Sequence, residues 1–278
     1  MMEMLTLSNT KINMLNTLAV LKRLWMIRRR YPASYWIKAL GPLMTYLPFA
    51  FLTSYISRVN HAETSTEVQL YIFTGVVVFS VITNNLSDIG FSVLQEKQMG
   101  TLSLNFMISS SLQPLMNGAL LYSMIFQLIN IGLFSVLGFF FFQSHITIDF
   151  SHLTLSLILL FLFSSQLSFL YSYFLLYAKE RGTVHRILTG GLIPMICGMT
   201  FSVRLFPKSI YFISQVIPMT HLLDIVRYSV VKSDISETQY WYKIIYLVIC
   251  ILVLRVGNQK LYSTMIRKVK KNGDWEKI

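Results

Sequence analysis

Three groups of residues in this sequence have types and spacings that could do chemistry, and they lie far apart. Asn84, Asn85 and Asp88 sit three and four apart, so on a helix they share one side. Two amides and an acid there would line a polar path or make interhelical hydrogen bonds. His221, Asp224 and Arg227 recur every three residues along one side of a short helix that Thr220 would cap. Hydrolysis would need a nucleophile beside a base, which this stretch lacks. An Asp224–Arg227 ion pair is the simpler expectation. Glu96 and Lys97 precede Gly100-Thr101 and then Leu102, Leu104, Phe106 and Ile108. An acid, a base, a turn-forming glycine and an apolar face suit mechanical contact better than catalysis. Cys197 and Cys250 stand alone in apolar stretches, with no metal-ligand or disulfide spacing around them.

The elements that must position these groups are set by the solvent. Of 278 residues 54% are hydrophobic and only 13% charged, and the mean hydropathy is +0.56, outside the range of water-soluble domains. Runs of about 20 apolar residues cross a hydrocarbon core of about 30 Å as helices. Six spans are expected: Trp36–Ile56, interrupted by Pro42 and Pro48 and therefore kinked; Leu70–Leu94; Leu115–Phe142; Leu153–Tyr177; Ile187–Val203; and Tyr240–Val256. Residues 204–239 are broken by Pro207 and Pro218 and read as short helices dipping partway into the bilayer. The fold class is thus an all-α polytopic membrane protein. Residues 1–35 form an amphipathic interfacial segment, 36–258 the six-span domain and 259–278 a basic tail. The first residues, MMEMLTLSNTKINML, lack the pattern of a cleaved signal.

Six spans put both ends on one side, and eighteen of the 24 Lys and Arg residues fall there. By the positive-inside rule both ends are expected in the cytoplasm. The formal charge of +12 then tracks membrane lipids and gives no reason to expect nucleic acid. A secondary transporter would show several intramembrane acids or two matched halves, and an intramembrane enzyme would show catalytic groups at membrane depth. Neither pattern is found in the sequence.

Two stretches resemble a known family. "LQEKQMGTLSLNFMISSS", residues 94–111, is similar to the cytoplasmic motif of the ATP-binding-cassette type-2 (ABC-2) permeases, where an acid and then Gly-Thr-Leu open the coupling helix. "LFPKSIYFISQVIPMTHLLDIVRYSVV", residues 205–231, resembles that family's segment before the last span. The resemblance implies a bacterial plasma-membrane exporter subunit. It would dimerise with itself or a sister permease and sit on two copies of an ABC ATPase. The coupling residues would be Glu96, Lys97, Gly100, Thr101, Leu102 and Leu104. Phe206, Pro207, Pro218, His221, Asp224 and Arg227 would belong to the external gate, and Asn84, Asn85 and Asp88 to the translocation path. The sequence holds no G-x-x-x-x-G-K-[ST] phosphate loop, so no cofactor is expected on this chain, and ATP with Mg is expected on the partner. The expected cargo is a lipophilic or amphipathic drug, antibiotic or peptide, with a lipid-linked polysaccharide or teichoic-acid-like polymer as the alternative.

Overall fold

In lipid, long apolar runs satisfy their backbone only as helices or closed barrels, and this chain forms helices. The computed structural model describes residues 2–60, 65–102, 104–105, 111–142, 149–177, 185, 189–190, 192–231 and 235–272. In order these give α1 (Met2–Arg30), α2 (Pro32–Asn60), α3 (Ser65–Gln98), α4 (Gln113–Phe142), α5 (Phe150–Tyr177), a short α6 (Leu192–Ile196), a 3-10 turn (Val203–Leu205), α7 (Lys208–Val216), α8 (Pro218–Val231) and α9 (Glu237–Asn272). α2 continues as one helix through Pro42 and Pro48. Among the described residues, five stretches are long and apolar enough to cross a bilayer: Trp36–Ile56, Thr66–Gln98, Gln113–Phe142, Phe150–Leu176 and Glu237–Arg267.

α3 is the hub and packs against α2, α4, α5 and α8, while α1 lies on α4, and α9 on α5 and α8. Close approach of α1 to α4 depends on Gly118, where a Cβ would come within 2.7 Å of Val20. The second half of α1 and the end of α9 meet at one end of the bundle. Val20 and Leu24 of α1 and Tyr262 and Met265 of α9 join Leu102, Leu112 and Leu176 in a single apolar cluster. At the opposite end Leu70, Phe73, Phe134 and Phe142 form another.

The expected fifth span, 187–203, departs from an unbroken helix. His185 packs on Phe91 at 4.9 Å between ring centroids, and a Cβ on Gly75 would meet the Met199 carbonyl. Phe91 and Gly75 are about 24 Å apart along α3, so the chain does climb the bundle between His185 and Met199. It climbs in pieces: among the described residues it bends at Gly190, is helical over Leu192–Ile196 and turns at Gly198, whose φ is 78°. Two further features, the missing amide of Pro194 and the mobility of a glycine-rich backbone, disfavour a continuous helix here.

α7 and α8 meet at an angle of 83°. Pro207 precedes α7 and Pro218 begins α8, where a missing N–H costs nothing. Thr220 therefore falls inside the first turn of α8 and is not its cap. The Tyr246 hydroxyl donates to the Val216 carbonyl at 2.7 Å, which places the bend about 14 Å into α9. Arg204 and Tyr211, however, share a cavity with Gln239 in the first turn of α9. The two helices are thus joined by a sharp bend that packs against α9.

Candidate functional site

At the terminal end of the bundle α3 runs through Glu96 and Lys97 to Gln98, so these two residues close a spanning helix rather than open the next one. The exit is a Schellman turn: Gly100 N–H donates to Lys97 O at 3.2 Å and Thr101 N–H to Glu96 O at 3.0 Å, with Gly100 at φ 70°. The Glu96 carboxylate is buried and collects three donors. Arg23 of α1 bonds Oε1, while Thr101 Oγ1 and Asn105 Nδ2 bond Oε2 at 2.5 and 2.6 Å. Lys97 turns the other way and caps the end of α5 through the Leu176 carbonyl at 2.9 Å.

The expected coupling residues therefore sit in different surroundings, and two residues outside that set, Met99 and Asn105, join them. Glu96, Thr101 and Asn105 pin the elbow, and the Thr101 hydroxyl is engaged by Glu96, although its carbonyl still starts the helix by accepting Asn105 N–H at 3.0 Å. Leu102 is an anchor, only 2% exposed, whereas Met99 and Leu104 present 56% and 57% of their surface outward. Phe106 and Ile108 lie outside the described residues.

Asn84, Asn85 and Asp88 do not form one lining. Asn85 is fully buried, donates to Ser164 Oγ of α5 at 2.8 Å and faces Ser123 Oγ of α4 at 2.5 Å. Asp88 is held by Lys38 of α2, whose Nζ is 2.5 Å from both carboxylate oxygens, by Arg28 of α1 at 3.4 Å and by Ser123 at 2.9 Å. An acid at this depth is costly unless paired, and it is paired. Asn84 and Asp88 line a cavity of about 680 Å³ between α1, α2 and α3. Asn84 and Lys38 also line a second cavity, about 560 Å³ and largely apolar.

At the opposite end the expected Asp224–Arg227 pair is replaced by two separate arrangements. Asp224 bonds Lys243 of α9. Arg227 is buried and donates to the carbonyls of Gly198, Met199 and Tyr71 at 2.9, 2.8 and 3.2 Å, with its guanidinium 3.4 Å from the centroid of the Tyr71 ring. Three bonds to carbonyls are better geometry for a planar fork than one lateral carboxylate. His221 holds the bend, its Nε2 2.8 Å from Gln215 O and its ring 4.7 Å from that of Tyr246. Phe206 is half-buried beside the exposed Pro207.

Sequence reasoning misses Arg23, Arg28 and Lys38 as site residues, because it counts them only as positive charge near a membrane face. Gly75 is missed as well, since one glycine inside an apolar run does not show which segment approaches it.

A helical bundle with, among the described residues, five helices long and apolar enough to cross a membrane and one sharply bent helix pair is a polytopic membrane protein. Residues 16–231 match the family profile described as ABC-2 type transporter, and the chain belongs to that family. It is a transport permease of the membrane. No curated protein matches it.

Proposed function

We propose that the chain is the membrane half of an ABC exporter in a bacterial plasma membrane, dimerising and driven by two copies of a separate ATPase that bear on the elbow. The observation that carries this reading is the Glu96 network. It joins the end of α3, the elbow and α1 through one buried carboxylate, so a push on the elbow is passed to two helices at once. The outward Met99 and Leu104 supply an apolar surface for the ATPase. Both chain ends then lie in the cytoplasm, in keeping with the lysine and arginine count. The cargo is lipophilic or amphipathic, and ATP and Mg act on the partner.

Purification of the tagged chain from its native membrane in mild detergent tests this. An ABC ATPase is expected to co-purify, and a cysteine at Met99 or Leu104, in a background with Cys197 and Cys250 replaced, is expected to crosslink to it. An elbow labelled from outside intact cells, or a chain that never retains an ATPase, overturns the reading.

A further inference from the structure

We infer that a cavity between α4, α5 and α9 binds an anionic phospholipid from the leaflet at the Glu96 end of the bundle. The cavity holds about 450 Å³, and Gln113, Asn117, Gln166, Arg255, Gln259 and Tyr262 stand in its walls. Its lining includes one cation and no acid. Among the described residues the side chains of Arg255, Gln113, Asn117 and Gln259 make no hydrogen bond or ion pair. Asn258 donates to Gln166 O at 2.8 Å and to Gln166 Oε1 at 3.2 Å, which leaves the two amide hydrogens of Gln166 for another partner. Uncommitted donors thus line one cavity without a negative charge among them. A phosphodiester supplies that charge, and its two free oxygens match the fork of a guanidinium. The amides, which both donate and accept, suit the hydroxyls of a headgroup.

Depth and the surface beneath the cavity make the ligand a lipid rather than a soluble phosphate. α9 begins at Glu237, and Arg255 lies about 27 Å along it. A hydrocarbon core is about 30 Å thick, so the guanidinium reaches the headgroup level of the far leaflet. Tyr262, two turns further on, packs on Tyr173 with 6.1 Å between ring centroids, and tyrosines are enriched at that level. One turn toward the middle of the bundle each helix exposes a leucine: Leu121 after Asn117 on α4, Leu162 before Gln166 on α5 and Leu252 before Arg255 on α9. Residues three or four apart share one side of a helix, so these leucines lie beneath the polar walls. A phosphate head in the cavity therefore leaves its acyl chains on an apolar track. The inference does not depend on the exporter reading.

The test titrates phosphatidylglycerol onto the full detergent-purified chain, with any subunit it retains, and counts bound lipid by native mass spectrometry against phosphatidylcholine. One phosphatidylglycerol per chain should be retained saturably, about tenfold more tightly than phosphatidylcholine. Arg255→Gln should abolish that preference, and Arg255→Lys should keep only part of it, because the charge remains and the fork is lost. Gln166→Leu should weaken binding severalfold. Arg267→Gln, which removes an exposed cation about three turns beyond Arg255, should leave binding unchanged. Arg255 is itself exposed, and a gel-filtration profile matching that of the native chain shows that its variants fold. Equal retention of phosphatidylcholine, an unchanged preference in Arg255→Gln, or a loss in Arg267→Gln as large as that in Arg255→Gln overturns the inference. Displacement by an equal concentration of glycerol phosphate would make a soluble ester the ligand and overturn it too, as would the absence of saturable binding.

Discussion

Glu96 and Arg227 are buried charged side chains at opposite ends of the bundle, and the two are held in opposite ways. Glu96 is gripped by side chains, Arg23, Thr101 and Asn105, that belong to different segments. Arg227 is gripped by backbone, through the carbonyls of Tyr71, Gly198 and Met199. A side-chain clasp can open by rotamer changes while every helix stays intact. A guanidinium stapled to three carbonyls moves only if the backbone around it moves. The terminal end is thus built as pieces that can shift together or part, and the opposite end as a fixed frame against which they shift.

The frame should break hardest. Arg227→Ala leaves the Gly198 and Met199 carbonyls without this donor, while Tyr71 O keeps the Thr74 hydroxyl, and at about 1–3 kcal/mol for each lost buried partner we expect the largest destabilisation in the chain, roughly 3 kcal/mol or more. Arg227→Lys should not rescue it, because one ammonium cannot span three acceptors or stack on Tyr71. Thermal unfolding in detergent measures both, and a lysine variant as stable as the native chain would remove the distinction between the two ends. Gly75→Ala attacks the same frame from α3. Its Cβ would fall 2.1 Å from Met199 O and 2.5 Å from Arg227 Nη2, and overpacking of this kind costs about 1–3 kcal/mol.

The contrast was only partly legible in the sequence. Apolar runs marked α2, α3, α4, α5 and α9 because lipid imposes one periodicity-independent rule, length. Pro207 and Pro218 marked the two helix starts on either side of the bend, because a proline fits the first turn of a helix and not its interior. The residues 94–111 stood out as an elbow, yet composition could not show that Leu102 turns inward and Leu104 outward, since that depends on where the neighbouring helices pass. Partners of buried charges were illegible for a related reason. Asp224 has Arg227 one turn away in sequence but Lys243 across a helix interface, and only tertiary packing decides between them.

Breaking the clasp should cost function more than stability. Glu96→Gln keeps one acceptor oxygen for Thr101 and Asn105 but turns an amide toward Arg23. Arg23 is 41% exposed, so solvent screening limits the loss to about 1 kcal/mol. ATP turnover in the assembled complex should nevertheless lose its dependence on cargo. Arg23→Gln added to Glu96→Gln should restore part of the thermal stability, and a double-mutant cycle measures the coupling. Gly100→Ala is milder still. Nothing lies within 4 Å of its Cβ position, so the φ of 70° is the whole penalty, about 1 kcal/mol. Gly100→Asn should lose less, because asparagine tolerates that region.

The smallest effect should come from an exposed clasp at the opposite end, the cap of α5. Asp149 Oδ1 accepts from the Ser151 hydroxyl at 2.7 Å and Ser151 N–H at 3.1 Å, and His152 Nδ1 lies 2.8 Å from Oδ2. The Ser151 hydroxyl chiefly, and then His152, pull the Asp149 carboxyl down from 3.8 to about 2. A depressed folded value means that the ionised carboxylate stabilises the fold above about pH 4 and that this contribution is lost as pH falls toward 2. The difference in unfolding midpoint between the native chain and Asp149→Asn should accordingly be small above pH 5, shrink below pH 4 and vanish only below about pH 2. A difference that grew as the solution was acidified would mean that the carboxyl is raised instead, and that Asp149 belongs with the buried acids rather than with the exposed caps.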